Sequence, residues 1–274
     1  MSSSKLHSRR PWWSTLGIYA GLSLAAFIMV VPLLFSFVTA FKSPQDFASH
    51  SPFALPSPPS LASFQAILTG RVNFGDAIIT TLLMVVVMVV GQLVSSVLAA
   101  YAFARIEFPG REVIFWLFLG TMMIPASVLV IPLYLMMAKM GLNNTFWGIV
   151  LPFVFASPYA VFLLRQSFRQ IPQEIIDAAT MDGAGQMRIL FSIVVPVSKP
   201  IISTLVLITV VSQWNSFMWP RIIAATRPRV LTVATAALQS QYNANWTYVM
   251  AATTIALVPL IALFIVFQRH IVES

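Results

Sequence analysis

Long apolar runs, each separated by a shorter polar stretch, set the pattern of this chain. Residues 11–41, 77–104, 113–138, 140–164, 200–220 and 230–268 carry no Asp, Glu, Lys or Arg, and the usable core of the last run is 249–267. Each can supply the roughly 20 residues a helix needs to cross the hydrocarbon of a bilayer. Apolar positions are contiguous, as in 82–90, and do not alternate. Helices are therefore predicted, and the strand pattern of an outer-membrane barrel is absent. The pattern predicts an all-α polytopic membrane protein with six transmembrane helices, one transmembrane domain over 1–274, and both termini on the same side.

One segment does not belong to that pattern. Residues 171–200, IPQEIIDAATMDGAGQMRILFSIVVPVSKP, are charged and glycine-bearing yet lie between lipid-grade runs. Pro172 suits the first position of a helix that Gln173–Met181 can continue, with Ile171, Ile175 and Ala179 on one face. Gly183 and Gly185 interrupt it. A second helix follows, with Met187, Leu190, Phe191 and Val194 as its apolar stripe opposite Gln186, Arg188 and Ser192, and Pro196 and Pro200 end it. Each helix is about 15 Å long, too short to span, so its apolar face needs protein or membrane surface.

Composition agrees with a membrane protein: 58% hydrophobic, 9% charged, mean hydropathy +0.86. A soluble core cannot absorb that much apolar surface. Lys and Arg set the orientation. Lys5, Arg9, Arg10, Arg105, Arg111, Arg165, Arg169, Arg188, Lys199 and Arg269 lie on the side of the termini, against six of the sixteen on the other, among them Arg221, Arg227 and Arg229. The termini and 171–200 are thereby assigned to the cytoplasm, and the net charge of +8 is an orientation signal that implies no nucleic-acid partner. The first run is too long for a signal peptide and reads as an uncleaved span, anchored by Trp12 and Trp13, with Gly17 and Gly21 for close helix packing. Pro125 and Pro132 are expected to kink or unwind the third span.

The residues Asp177-Ala178-Ala179, then Gly183, Ile193 and Pro196, resemble in type and spacing the EAA loop of bacterial ABC importer permeases. Asp177 stands where Glu is usual, Val195 where Leu is usual, and Gly185 where a Ser or Thr cap would be expected. From Tyr101 onward the chain is similar to the maltose-type, six-span branch of sugar-importer permeases. The likeness rests on Tyr101-Ala102-Phe103-Ala104-Arg105, Ile131-Pro132-Leu133-Tyr134, Gly141-Leu142-Asn143-Asn144-Thr145, the stretch 168–174, and Trp214-Asn215-Ser216-Phe217-Met218-Trp219-Pro220. As a whole the chain also looks close to the permeases of actinobacterial trehalose importers.

That resemblance implies a permease subunit of an ATP-driven sugar importer in the bacterial cytoplasmic membrane. It implies as partners a second permease, two ATPase subunits that hold ATP and Mg, an extracytoplasmic sugar-binding protein and membrane lipid. It implies ATPase coupling for Glu174, Asp177, Ala178, Ala179, Asp182, Gly183, Met187, Leu190, Phe191, Ile193 and Pro196. This polypeptide has no GxxxxGK[ST], no HExxH, no GxSxG and no cysteine. It therefore shows no catalytic residues, no metal site and no cofactor of its own. Glu174, Asp177 and Asp182 read as docking and helix-dipole charges rather than as a catalytic set.

Within the spans, Gln92, Gln213, Trp214, Asn215 and Trp219 are the candidates for a sugar path, because hydroxyls want hydrogen-bonding groups and ring faces want aromatics. Each amide reads either as a helix–helix hydrogen bond or as a substrate contact, and facing lipid would cost several kcal/mol. No ionisable residue lies mid-span. That counts against an ion-coupled secondary transporter. A non-transporting scaffold subunit is the remaining alternative.

Overall fold

The computed structural model describes residues 12–70, 73–241 and 245–272. Lys5, His7, Arg9, Arg10 and Arg71 lie outside them, as do the side chains of Trp12, Arg269 and His270. All regular structure among the described residues is helical.

The first run forms α1 (Trp12–Ala40), and its polar connection holds α2 (Pro44–Ser49) and α3 (Ala62–Thr69). Ser43 starts α2 by accepting from the Asp46 N–H at 3.0 Å, with Pro44 supplying a preset φ at the first position. The second run is α4 (Phe74–Arg105). The third is broken: α5 (Arg111–Gly120) and a 3-10 turn, Thr121–Met123, meet α6 (Ala126–Lys139) at 100°. Pro125 sits at that break, where it cannot continue a helix, whereas Pro132 is carried inside α6. Of the two prolines expected to disrupt the span, Pro125 marks the break.

The fourth run forms α7 (Phe146–Val150), capped by the Thr145 hydroxyl, a 3-10 turn over Leu151–Phe153, and α8 (Pro158–Gln170), bent by 40°. Next come α9 (Gln173–Met181), α10 (Gln186–Ile189), a π turn over Leu190–Val194, and α11 (Val195–Val197). The chain then turns 81° into α12 (Lys199–Trp214). After α13 (Met218–Ile223) and α14 (Leu231–Gln241), α15 (Trp246–Val272) completes the bundle. Three helices are long and apolar enough to span alone, and the count rises to as many as six if each bent pair is one span, the last pair taking in Gln186–Val197.

α4 runs through both cores. Near its start Met84 and Met88 pack with Ile149, Leu238 and Ala251. Toward its end Ala100 and Tyr101 pack with Phe115, Leu164, Phe168, Ile189 and Leu190. Gly91 lets α4 approach the break of the fourth span, because a Cβ there would overlap the side chain and carbonyl oxygen of Val154. Gly91→Ala is expected to lower stability by about 1–3 kcal/mol, read as an earlier thermal unfolding midpoint in detergent. Gly17 and Gly21 behave otherwise: among the described residues no atom lies within 4 Å of a Cβ built on either, so the close packing expected there is not seen among them.

Candidate functional site: a helical corner and an apolar cleft

Residues 171–200 fold as two short helices meeting at a corner. α9 has the predicted bounds, but Pro172 is its N-cap rather than its first helical residue. Gly183 ends it at φ +79°, with the Gly183 N–H donating to Thr180 O and the Ala184 N–H to Ala179 O, each at 3.0 Å. This pair of bonds is a Schellman cap, with glycine in the left-handed position that L side chains avoid. Gly185 begins α10 without a side-chain cap.

The faces are rotated from those read in the sequence. In α9 it is Ile176 that is buried, with Ala179 partly covered, while Ile175 is 45% exposed. In the second helix Ile189, Leu190 and Val194 face the core, and the expected stripe members Met187 and Phe191 are 60% and 57% exposed. The core face runs through Ile189, which the stripe left out, and the π turn begins after it, where the Val195 N–H reaches back five residues to Leu190 O. Ile193 is half-buried and Pro196 exposed. With Met181 at 88%, Ile175, Met187 and Phe191 leave bare apolar side chains on helices too short to span. Glu174, Asp177, Ala178 and Asp182 are exposed around them. Glu174 suits the helix dipole in the first turn of α9, but Asp182 is at its C-terminal end, where the dipole opposes a carboxylate.

The end of α4 holds this corner. Tyr101 donates its hydroxyl to Gln186 Oε1 on α10 at 2.7 Å. Arg105 donates to Gln173 Oε1 on α9 at 2.6 Å and to the carbonyls of Phe168 and Ile171. Gln173 in turn donates to Asp177 Oδ1 at 2.9 Å. The sequence reading took Arg105 as an orientation charge and Tyr101 as part of a resemblance. Their i, i+4 spacing at a helix end was the signal that both point to the same neighbour.

Arg165, 6% exposed on α8, is a second residue read only as an orientation charge. Its Nε donates to Phe103 O at 3.1 Å, its Nη2 to Glu112 Oε1, and its guanidinium stacks 3.9 Å from the Phe115 ring centroid. Glu112→Ala strips the buried cation of its carboxylate. Because Glu112 is itself half exposed, the expected loss is about 2 kcal/mol, between values for surface and buried pairs. Unfolding midpoints of the single variant and of Glu112→Ala with Arg165→Met check this, the double change recovering part of the loss.

Five span residues were drawn as path candidates, and they separate here. Gln92 donates to Phe153 O, a helix–helix bond. Trp214 is buried and donates to Ala256 O at 3.2 Å. Asn215 is exposed and donates to Val211 O in its own helix at 2.8 Å, and Gln213 is half-buried. Trp219 alone among them lines a cleft of about 580 Å³ between α6 and the end of α12, with Val130, Leu133, Met136, Phe153 and Phe217. Its indole N–H is bound by Gly148 O and Ile149 O, both at 3.2 Å, so it offers the cleft a ring and no donor. At the opposite end of the bundle from the corner, Arg227 and Arg229 share a polar pocket of about 380 Å³ with Asp76 and Asn144.

A bundle of long apolar helices with three bent pairs is the fold of a polytopic membrane protein. The chain belongs to the family described as binding-protein-dependent transport system inner membrane component, which it matches over residues 92–274. It is 31% identical over 260 residues to the diacetylchitobiose uptake system permease protein of Streptomyces coelicolor, covering 93% of this chain and 85% of that one. It is also 31% identical over 257 residues to the arabinooligosaccharides transport system permease protein of Halalkalibacterium halodurans, covering 93% and 92%. A third relative at 31%, over 263 residues, is the sn-glycerol-3-phosphate transport system permease protein of Yersinia pestis, with 92% of each covered. The fold is shared with a crystal structure of a bacterial ABC transporter that imports alginate, at a TM-score of 0.83 and 24% identity over 97% of this chain and 99% of that one. As a permease subunit, the chain is not itself an enzyme and binds no cofactor of its own.

Proposed function

We propose that this chain is one of two permease subunits enclosing the path of an ATP-driven importer for a di- or oligosaccharide such as trehalose. The observation that carries the reading is the bare apolar set Ile175, Met181, Met187 and Phe191 on the two short helices of 171–200. Such side chains, ringed by Glu174, Asp177 and Asp182, suit a groove on an ATPase. Ala178, Ala179 and Gly183 let the corner turn tightly, and the buried Leu190 with the half-buried Ile193 holds it to the spans, while Pro196 stays exposed.

The corner and both termini face the cytoplasm in this reading, in accord with the bias of Lys and Arg. Two ATPase subunits bind there with ATP and Mg, and an extracytoplasmic binding protein delivers sugar at the opposite face. Two relatives are named for oligosaccharides and one for a sugar-related phosphoester, which supports a polyhydroxylated substrate. The cleft beside Trp219 and Phe217 supplies aromatic faces for sugar rings, whereas Gln92, Trp214 and Asn215 spend their donors on carbonyls. Nucleotide must shift the bundle between two accesses, and a swing from 1:99 to 99:1 needs about 5.5 kcal/mol, which nucleotide binding at two ATPases can supply.

Co-expression of the tagged chain with its neighbouring genes, followed by mild detergent extraction, tests the proposal. A second permease and an ATPase are expected to copurify, with hydrolysis stimulated by binding protein plus sugar. A stable complex that lacks an ATPase and moves solute on an ion gradient would overturn it.

A further inference from the structure

We infer that α4 is the linkage that carries movement of the corner to the break in the fourth span, with Arg105 as its main positioning residue and Tyr101 as its second. This rests on the reading of 171–200 as the ATPase-coupling element. One turn apart on one face, the two side chains take hold of different short helices: Tyr101 holds Gln186 on α10 at 2.7 Å, and Arg105 holds Gln173 on α9 at 2.6 Å.

Arg105 also donates to Phe168 O and Ile171 O, at the C-terminal end of α8. Both carbonyls lie at a helix C-terminus, the place where a cation is favoured, and Phe168 O also accepts the Ile171 N–H at 3.4 Å. One guanidinium thus joins α4, α8 and α9, and Gln173 extends the chain of bonds to Asp177. Neither short helix can move far without pulling on the last turn of α4.

What α4 does with that pull follows from its shape and its other bonds. It is a single helix of 32 residues, about 48 Å at ~1.5 Å per residue, and it contains no proline, whereas α1, α6 and α15 carry Pro32, Pro132 and Pro259. Along its middle, Gln92 donates to Phe153 O and the Ser96 hydroxyl accepts the Ser157 N–H at 3.2 Å, while Gly91 brings the backbones together at Val154. These three contacts bracket the turn between α7 and α8, and Phe153 lines the cleft. Nearer its start, Thr81 Oγ1 accepts the Leu231 N–H at 2.7 Å, at the first residue of α14. A single unbroken helix is therefore pinned to the corner at one end and to a break beside the cleft about 20 Å away.

The chain has no cysteine, so Ser127→Cys, on the wall of the cleft, gives this subunit one thiol, and its labelling is read on the subunit's own band after denaturing electrophoresis. The labelling rate of its thiol by a maleimide is measured in the detergent-solubilised complex, with and without ATP plus vanadate, beside the rate of ATP hydrolysis. In the otherwise wild-type complex the nucleotide is expected to change labelling at least fivefold. Arg105→Gln is expected to lose that change while basal hydrolysis stays within twofold, and Arg105→Lys to recover part of it. Tyr101→Phe, which lacks only a hydroxyl, is expected to reduce the change about threefold, and it decides the matter if Arg105→Gln fails to assemble. A wild-type nucleotide response in both Tyr101→Phe and Arg105→Gln overturns the linkage alone. A complex without ATP-dependent labelling in the absence of either substitution overturns the coupling reading and the linkage together.

Discussion

A complex in which this subunit carries Met187→Asp and Phe191→Asp is expected to lose its ATPase on purification and to show no ATP-driven uptake. Both side chains are more than half exposed in the isolated chain, so neither substitution removes a core contact. Covering a Phe or Met side chain is worth about 1.5–3 kcal/mol, and about 3 kcal/mol already weakens binding by roughly a hundredfold. Two carboxylates in that contact add desolvation without a partner. The variant should therefore fold and insert, with an unchanged unfolding midpoint, yet copurify with less than a tenth of the wild-type ATPase. Leu190→Asp is the contrast: Leu190 is wholly buried, so its substitution destabilises the subunit itself. An ATPase recovered in full with the double variant would place the docking surface elsewhere.

That prediction turns on a distinction the hydrophobic pattern blurs. The stripe Met187, Leu190, Phe191, Val194 has the spacing of one helical face, and two of its members point away from the core. The core face is set by Ile189, Leu190 and Val194, and an i, i+3, i+4 pattern does not by itself say which of two overlapping apolar faces a short helix buries. The bounds of α9 were legible because Pro172 and Gly183 are local signals, a fixed φ and a tolerated positive φ, that need no tertiary context. The six spans were legible for the same reason: the demand of hydrocarbon for internally satisfied backbone acts on each run separately.

Long-range partners were not legible. Arg105 and Arg165 read as surface charges from composition, yet each reaches across more than fifty positions, to Ile171 O and Glu112. The i, i+4 spacing of Tyr101 and Arg105 shows that they share a face, but nothing in the spacing of the chain names the partner of either arginine. The amides and indoles at Gln92, Trp214 and Asn215 illustrate the reverse. Their types suggested a wet path, whereas Gln92 and the buried Trp214 each donate to a carbonyl across the bundle and the exposed Asn215 donates to Val211 O of its own helix. The cleft itself was foreshadowed only by Trp219 and by Pro125, whose break opens the wall that α6 presents.

Gly183→Val is expected to cut ATP-driven uptake by about tenfold or more, while Gly183→Asn stays within about threefold. Gly183 holds φ +79° as the left-handed residue of the Schellman cap, and no atom lies within 4 Å of a Cβ built there. Crowding is thus not the obstacle, and the backbone is. A β-branched residue in that region is strained by more than the roughly 1–2 kcal/mol that L residues pay in general, whereas Asn visits it readily. Relief comes by opening the cap, which frees the carbonyls of Ala179 and Thr180 and swings α10 relative to α9. The exposed side chains Ile175 and Met181 of α9 and Met187 and Phe191 after it are then presented in a different relative arrangement, and the surface offered to the ATPase changes. Uptake and hydrolysis in the assembled complex separate the possibilities. Equal damage from Val and Asn would mean that the surface at Gly183 touches the partner directly, and full activity in both would remove the corner from the coupling path.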